Sequence, residues 1–446
     1  MPNFPAGRTF LRMGGTSLAY RVFARAATGL VPLAGLANPR IARSHASRRG
    51  TADRLIAWAR ASRDASRPLV WFHASSAGEG LQAESVLLRV RASHPDWQFV
   101  FTHYSPSAEP LARRLPVDFA DYLPYDLPGE VDRVLDAMAP TSLVFAKLDL
   151  WPEWATRAAR RGTSVALVAA TVRPGSGRLR WPVRAALAPG YAAVAAAGAI
   201  SRGDAERLAQ LGVRPERIRV TGDARFDSVL DRVAAVRAED PLIRLGNGAP
   251  TLVAGSTWPG DERVLLDAFA RLHVHRPGAR LILAPHEPTP AHLEPIERAA
   301  GRLGLPAAVR LSAAGGPVPF LLVDRVGVLA TLYGAGSMAY VGGGFGRAGL
   351  HSVLEPAAWG LPVAFGPRWQ ESRDAGLLLE AGGGESLPAF GTEEAGEALH
   401  ALWNDWIQDE ARRSAQGRKA RRVVEEGRGA ADASAAMVEE LVLRAT

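Results

Sequence analysis

The sequence predicts an α/β protein of two Rossmann-like units, each a parallel sheet covered by helices on both faces. Three observations carry that expectation. The chain has 446 residues, more than one ordinary core of about 100 to 200 residues accommodates. Short β-type runs alternate with helical stretches, and the runs are almost continuously apolar, as in strands buried on both faces. The alternation lapses in a charge-rich stretch from Ser228 to Pro250 and then restarts.

In the first half the strand-like runs are Leu69-Val-Trp-Phe-His73, Gln98-Phe-Val-Phe-Thr102, Ser142-Leu-Val-Phe-Ala146 and Ser164-Val-Ala-Leu-Val168. Between them, Gln82 to Ala92 and Pro152 to Arg161 have helical composition. In the second half the runs are Thr251-Leu-Val-Ala-Gly255, Arg280-Leu-Ile-Leu-Ala284, Phe320-Leu-Leu-Val323, Met338-Ala-Tyr-Val341 and Pro362-Val-Ala-Phe365. Domains are therefore expected at 50–236 and 237–446, after a basic segment at 1–49, with the carboxyl-terminal helix returning to the first domain. Ligands of such sheets lie beyond the carboxyl ends of the strands, so the residues just after each run matter most.

Composition narrows the partners. Hydrophobic residues at 47% against 22% charged describe a globular chain and exclude a disordered one. The absence of cysteine excludes disulfides and thiolate metal sites. With 53 basic and 45 acidic residues, the net charge of +8 favours an anionic partner: nucleic acid, a phospholipid surface or a phosphorylated substrate. Lysine stands only at Lys147 and Lys419 among many arginines. A position that keeps lysine either needs a compact ammonium or has kept it by chance.

Within 1–49 the apolar stretch Ala26 to Ala37 is interrupted by Pro32 and falls short of the ~20 residues a spanning helix needs. The very start lacks the charged-then-apolar order of a signal peptide. Tyr20, Val22, Phe23, Leu30, Val31 and Leu33 among Arg21, Arg25 and Arg40 suggest an anchor lying in a membrane interface. A helix packed on the domain body is the alternative.

The first strand ends in His73-Ala-Ser-Ser-Ala-Gly-Glu79, with a helix expected from near Gly80. Such a turn leaves backbone N–H groups free for a ligand. Glu79 at its mouth is a candidate general base, since a partly buried carboxylate with a raised pKa can take a hydroxyl proton. Its other reading is a first-turn acid that complements the helix dipole. Tyr340-Val-Gly-Gly-Gly-Phe-Gly346 also follows a strand and leads to Gly349-Leu-His-Ser-Val-Leu-Glu355. There Glu355, one turn into the next helix, is placed to accept from ribose hydroxyls, although glycines in that order also make a tight turn beside a packed helix. They lack the spacing of a dinucleotide fingerprint. Pro285-His286-Glu287-Pro288 follows another strand, and His286 is a candidate donor to a phosphate or a cytosine edge. The histidines show no metal-ligand spacing, so the expected mechanism uses no metal.

These segments together resemble the family of Kdo transferases, Kdo being 3-deoxy-D-manno-octulosonic acid. The resemblance runs from Trp71 to Gly384 and rests on ordered motifs. They are Trp71 to Glu79, Tyr122-Leu-Pro-Tyr-Asp-Leu-Pro128, Leu148-Asp-Leu-Trp-Pro152, Val220-Thr-Gly-Asp-Ala-Arg-Phe-Asp227, Ala254 to Glu262, the Pro285 turn, Leu332-Tyr333 and Gly349 to Pro367. Many members of the family have glutamate at Lys147, asparagine at Ser352, arginine at His286 and lysine at Arg225. One branch shares the Phe-x-Lys, Gly-Asp-x-Arg-Phe-Asp and Gly-Gly-Gly-Phe-Gly patterns of this chain, so the differences mark a subgroup.

The resemblance implies the GT-B fold, two Rossmann-like domains with parallel sheets facing a cleft. It implies transfer of Kdo from CMP-Kdo to a lipid A precursor, lipid IVA, without cofactor or metal. Glu79 takes the general-base role, and Lys147 and Arg225 fall where the family stabilises the transition state. The CMP contacts carried over are Pro285, His286, Val326, Gly327, Val328, Ser352, Val353, Leu354 and Glu355. The expected location is the cytoplasmic face of the inner membrane, peripheral or monotopic, against an anionic surface and with no nucleic-acid partner. Two alternatives stand beside this reading: a GT-B enzyme for another sugar nucleotide, and a catalytically silent protein that binds anionic lipid.

Overall fold

The computed structural model describes residues 15–389 and 391–445. In its first sheet the strands are β1 (Leu69–Ala74), β2 (Gln98–His103), β3 (Phe119–Tyr122), β4 (Ser142–Ala146), β5 (Ser164–Ala170), β6 (Val194–Ala199) and β7 (Ile218–Val220). All pair in parallel, in the order β3-β2-β1-β4-β5-β6-β7. The second sheet contains β8 (Thr251–Thr257), β9 (Arg280–Pro285), β10 (Val309–Arg310), β11 (Phe320–Leu322), β12 (Met338–Val341), β13 (Val363–Phe365) and β14 (Gly384–Ser386). It too is parallel throughout, ordered β10-β11-β9-β8-β12-β13-β14. The first order reverses between β1 and β4 and the second between β8 and β12, with β11 also inserted between β9 and β10; the β1/β4 and β8/β12 reversals are the switch points where such sheets open a crevice.

Two compact units result. One runs through Ser228 and takes in the segment from Gly429; the other is Val229–Arg428. The division falls inside the helix Ala224–Ala235, not at 236/237, and the stretch expected to be irregular begins with that helix. Its charges hid an apolar stripe, of which Phe226, Val229 and Leu230 are buried.

Period-two alternation sorts β1 between two cores. Leu69 and Trp71 join Leu143, Phe145 and Trp154 on one face. Val70, Phe72 and Ala74 join Val86, Leu87 and Phe101 on the other, with Ala431, Ala435, Met437, Val438 and Val442 of the last helix, Ala430–Leu443. Asp227 ties that helix down: its buried carboxylate accepts from the backbone N–H of Gly429 at 2.8 Å and of Ala431 at 2.9 Å. The last residue of the Gly-Asp-x-Arg-Phe-Asp motif is therefore a helix cap.

At the amino end the helix Leu18–Ala37 is capped by Ser17, includes Pro32 and buries none of its residues. Its polar side is attached to the first unit, where the Tyr20 hydroxyl donates to Asp126 at 2.6 Å and Arg21 to the buried Glu153 at 2.7 Å. Leu18, Val22, Phe23, Leu30, Leu33 and Leu36 are exposed. The helix is thus held to the domain body by polar bonds while its apolar side chains stay uncovered. No helix among the described residues is long and apolar enough to cross a membrane. The start of the chain, expected to carry no leader, lies outside the described residues.

Asp227→Ala would leave two buried N–H groups without an acceptor, which costs about 2–4 kcal/mol. A lower urea midpoint at unchanged slope, the product of slope and shift matching that loss, is the expected result.

Candidate functional site

In the first unit the chemistry gathers at the β1/β4 switch point. After β1 the chain turns through Ser75 and Ser76 into the helix Ala77–Ser93, which starts before Gly80 because Ser76 caps it, its hydroxyl accepting from the N–H of Glu79. Glu79 therefore lies in the first turn, where the helix dipole favours its ionised form. After β4 the chain passes through Lys147 and Asp149. Lys147 has φ of 60°, a left-handed conformation that costs a side-chain-bearing residue about 1–2 kcal/mol. Its N–H bonds to the Val168 carbonyl at 2.8 Å, extending the β4–β5 ladder and holding it in that conformation.

The strain places three charges together. The Lys147 ammonium is 3.5 Å from Glu79 Oε1. Asp149 Oδ2 accepts from the Ser75 N–H at 2.8 Å, which fixes the β1 turn against the β4 turn. The Ser76 hydroxyl donates to Glu79 Oε2 at 3.0 Å. Burial and the adjacent Asp149 carboxyl push the Glu79 pKa up, opposed by Lys147 and Ser76. A half-buried carboxylate with competing influences suits a proton acceptor. Asp149 escaped the sequence reading as a site residue, although its place just past the end of β4 is the signal that picks it out.

Arg225 is placed differently. It follows β7, three strands from β4, roughly 14 Å at ~4.8 Å per strand. Its guanidinium is forked onto the buried carboxylate of Asp223, with contacts of 3.0 Å and 2.6 Å to Oδ2. The motif thus supplies a cation already paired with an anion.

The second unit repeats the pattern at β8/β12. Ser256, in β8, has φ of 55°. The glycine run after β12 fits backbone against backbone. A Cβ on Gly342 would lie 2.4 Å from the Ser256 carbonyl oxygen, and one on Gly344 would lie 2.7 Å from the Gly366 Cα. The tight-turn reading accounts for these glycines without a ligand. Asp261, near the start of the helix Pro259–His275, accepts from the N–H groups of Trp258 and Gly343, both at 2.9 Å, and from the Tyr340 hydroxyl at 2.8 Å.

Pro285 ends β9 and is buried; His286 follows it, exposed, its N–H bonded to the Thr257 carbonyl at 3.0 Å. The His286 ring stacks on Trp258 and on His351, with centroids 4.9 Å and 4.4 Å apart. Val326, Gly327 and Val328 follow β11, the neighbour of β9, with Val326 exposed. Ser352 is exposed, Val353 and Leu354 are buried, and Glu355 is the second residue of the short helix Leu354–Ala358. Arg232 donates to Glu355 at 2.9 Å. All these segments follow parallel strands and so share the carboxyl edge of the second sheet. The sequence reading had not singled out Trp258, His351 or Arg232. Among the described residues, no three or more His, Asp or Glu side chains gather as a metal would require.

Asp149→Asn keeps the acceptor for Ser75 but removes the charge that raises Glu79, so the Glu79 carboxyl should titrate at lower pH. Lys147→Met removes the opposing ammonium and should move it to higher pH. Carbon-13 NMR of labelled glutamate reads both, and a common direction in the two variants would contradict the arrangement.

Comparison with known proteins agrees with this geometry. A family model described as "3-Deoxy-D-manno-octulosonic-acid transferase (kdotransferase)" matches residues 46–228. The chain is similar to the 3-deoxy-D-manno-octulosonic acid transferase of Bordetella pertussis, 30% identical over 433 residues that cover 90% of this chain and 94% of the relative. Among solved structures it resembles the Neisseria meningitidis UDP-GlcNAc 2-epimerase bound to UDP-GlcNAc, with a TM-score of 0.59 at 13% identity, covering 85% of this chain and 100% of that one. It also resembles a glycosyltransferase from Rickettsia africae, with a TM-score of 0.55 at 9% identity, covering 85% and 98%. The fold is GT-B.

Proposed function

The chain belongs to the family of 3-deoxy-D-manno-octulosonic acid transferases, glycosyltransferases of lipopolysaccharide biosynthesis, and from that premise we propose that it moves Kdo from CMP-Kdo to a lipid A precursor, lipid IVA, with Glu79 as general base. The observation that carries this is the Glu79 carboxylate, raised by burial and by Asp149 and flanked by the Lys147 ammonium, at the switch point of the first sheet.

In this reading the acceptor hydroxyl gives its proton to Glu79 as its oxygen attacks the anomeric carbon of Kdo. The bond from that carbon to the phosphate oxygen breaks, and CMP departs with the electron pair. Glu79 must be ionised to act, so burial and Asp149 make it a stronger base while Lys147 favours the anion. Lys147, and Arg225 within its Asp223 pair, supply positive charge to the sugar carboxylate and the departing phosphate. A phosphate leaving group stabilised by cationic side chains needs no metal in this scheme. In the second unit, Pro285, His286, Val326 to Val328 and Ser352 to Glu355 hold the CMP moiety. The sheet edge they share and the ring stack at His286 support that assignment.

The uncovered apolar side chains of the helix Leu18–Ala37, with the exposed Arg25 among them, support peripheral attachment to an anionic membrane surface, the cytoplasmic face of the inner membrane.

Transfer from CMP-Kdo to tetra-acylated lipid A precursor, with products resolved by mass, tests the assignment. Wild type should add a Kdo-sized increment unaffected by EDTA and inhibited by CMP but not by UDP or GDP. Glu79→Gln should lose about 10²- to 10⁴-fold in rate while CMP affinity stays near that of wild type. Loss of both together in a folded variant would remove the base assignment.

A further inference from the structure

The ring stack beyond β8 contains a hydrogen bond that determines where a proton sits. The indole N–H of Trp258 can only donate, and it meets His351 Nε2 at 3.1 Å. Nε2 is therefore the acceptor and the proton of His351 is on Nδ1. Burial and the nearby His286 push the His351 pKa down to about 4, so the ring is neutral around pH 7. The backbone is fixed as well, because the His351 N–H bonds to the Gly342 carbonyl at 3.1 Å. His351 thus presents an oriented, uncharged N–H donor beside the β8/β12 switch point.

Asp261 explains why such a donor is needed there. At a sheet's switch point the backbone N–H groups at the helix start and in the glycine turn ordinarily cradle a phosphate. Here the N–H groups of Trp258 and Gly343 are both taken by the Asp261 carboxylate, whose own negative charge opposes an anion. An anionic group bound at this edge loses those two backbone donors and gains from a side-chain donor.

We propose that His351, with its proton on Nδ1, binds a phosphate oxygen of the nucleotide, and that Trp258 is the positioning residue that holds that tautomer. The inference rests on the reading of the second unit as the holder of the sugar nucleotide. Neither residue belongs to the contacts assigned above, which begin at Ser352 and end at Glu355 on this segment.

The test is calorimetric titration of the full chain with CMP and with UDP, for wild type, His351→Leu, His351→Asn and Trp258→Phe, each checked by circular dichroism. Removing one hydrogen bond to a charged oxygen should weaken binding by about 10- to 100-fold in His351→Leu. The asparagine amide stands where Nδ1 was and should restore affinity to within about threefold of wild type. Trp258→Phe keeps an aromatic face but not the N–H, so nitrogen-15 NMR should show His351 moving from one tautomer to a mixture, with affinity falling alongside. A folded His351→Leu that binds within about twofold of wild type, or an asparagine variant as weak as leucine, overturns the proposal. A wild type that binds UDP and not CMP overturns the donor reading instead, and the same variants then decide the His351 assignment with UDP.

Discussion

A sheet whose strands all run parallel cannot turn one face to water, because every connection must cross back over a face and the crossing helices cover both. That constraint shapes both units of this chain. With Leu69 and Trp71 committed to one core, Val70 and Phe72 to the other, and His73 fully buried against Thr102, the side chains of β1 are all enclosed. Only its carboxyl edge remains, and there only the switch points leave room. Glu79, Lys147 and Asp149 follow the ends of the two strands that flank one switch point; Trp258 and His351 stand beyond the strands that flank the other. The strained residues follow the same logic. Lys147 adopts left-handed backbone just past β4, where the chain leaves the sheet, and Ser256 adopts it at the register shift between β8 and β9.

The balance around Glu79 depends on opposing influences of similar reach. Burial and the Asp149 carboxyl favour the protonated acid, while Lys147 and Ser76 favour the anion. Where other members of the family have glutamate in place of Lys147, three acids would face one another and repulsion would favour protonation. The lysine reverses the sign of that contribution. This chain can therefore keep a desolvated base ionised through a cation 3.5 Å away.

How much could be read beforehand depended on how strongly each segment's local chemistry agreed with its place in the fold. Strands rich in valine, isoleucine, leucine and phenylalanine, such as β1, β2, β4, β8 and β9, were legible because their apolar runs are short and β-type in composition and alternate regularly with helical stretches. Val194-Ala-Ala-Ala-Gly-Ala199 was not, since alanine prefers helix and only pairing with β5 and β7 makes it β6. Edge strands β3, β7, β10 and β14 are too short for a pattern. Glu79 and His286 were visible as residues just beyond legible strands. Asp149, Trp258 and His351 stand in equivalent places, but their importance lies in hydrogen bonds across the strand order, which a linear sequence does not display. Asp227 was legible only as the end of a motif, and its two bonds to backbone N–H groups 202 and 204 positions on are equally invisible in a linear sequence.

The first unit is completed by a helix that comes from the far end of the chain, Ala430–Leu443. During synthesis one side of its sheet must wait, with Val70, Phe72, Val86 and Phe101 lacking their last covering layer, until the segment Ala430–Leu443 has left the ribosome. The second unit is continuous in sequence and faces no such delay. Maturation in the cell therefore runs in reverse of gene order, the later-encoded body closing before the earlier one. Any ribosomal product that stops short of Ala430 leaves an incomplete first unit with a greasy sheet face open to chaperones and proteases.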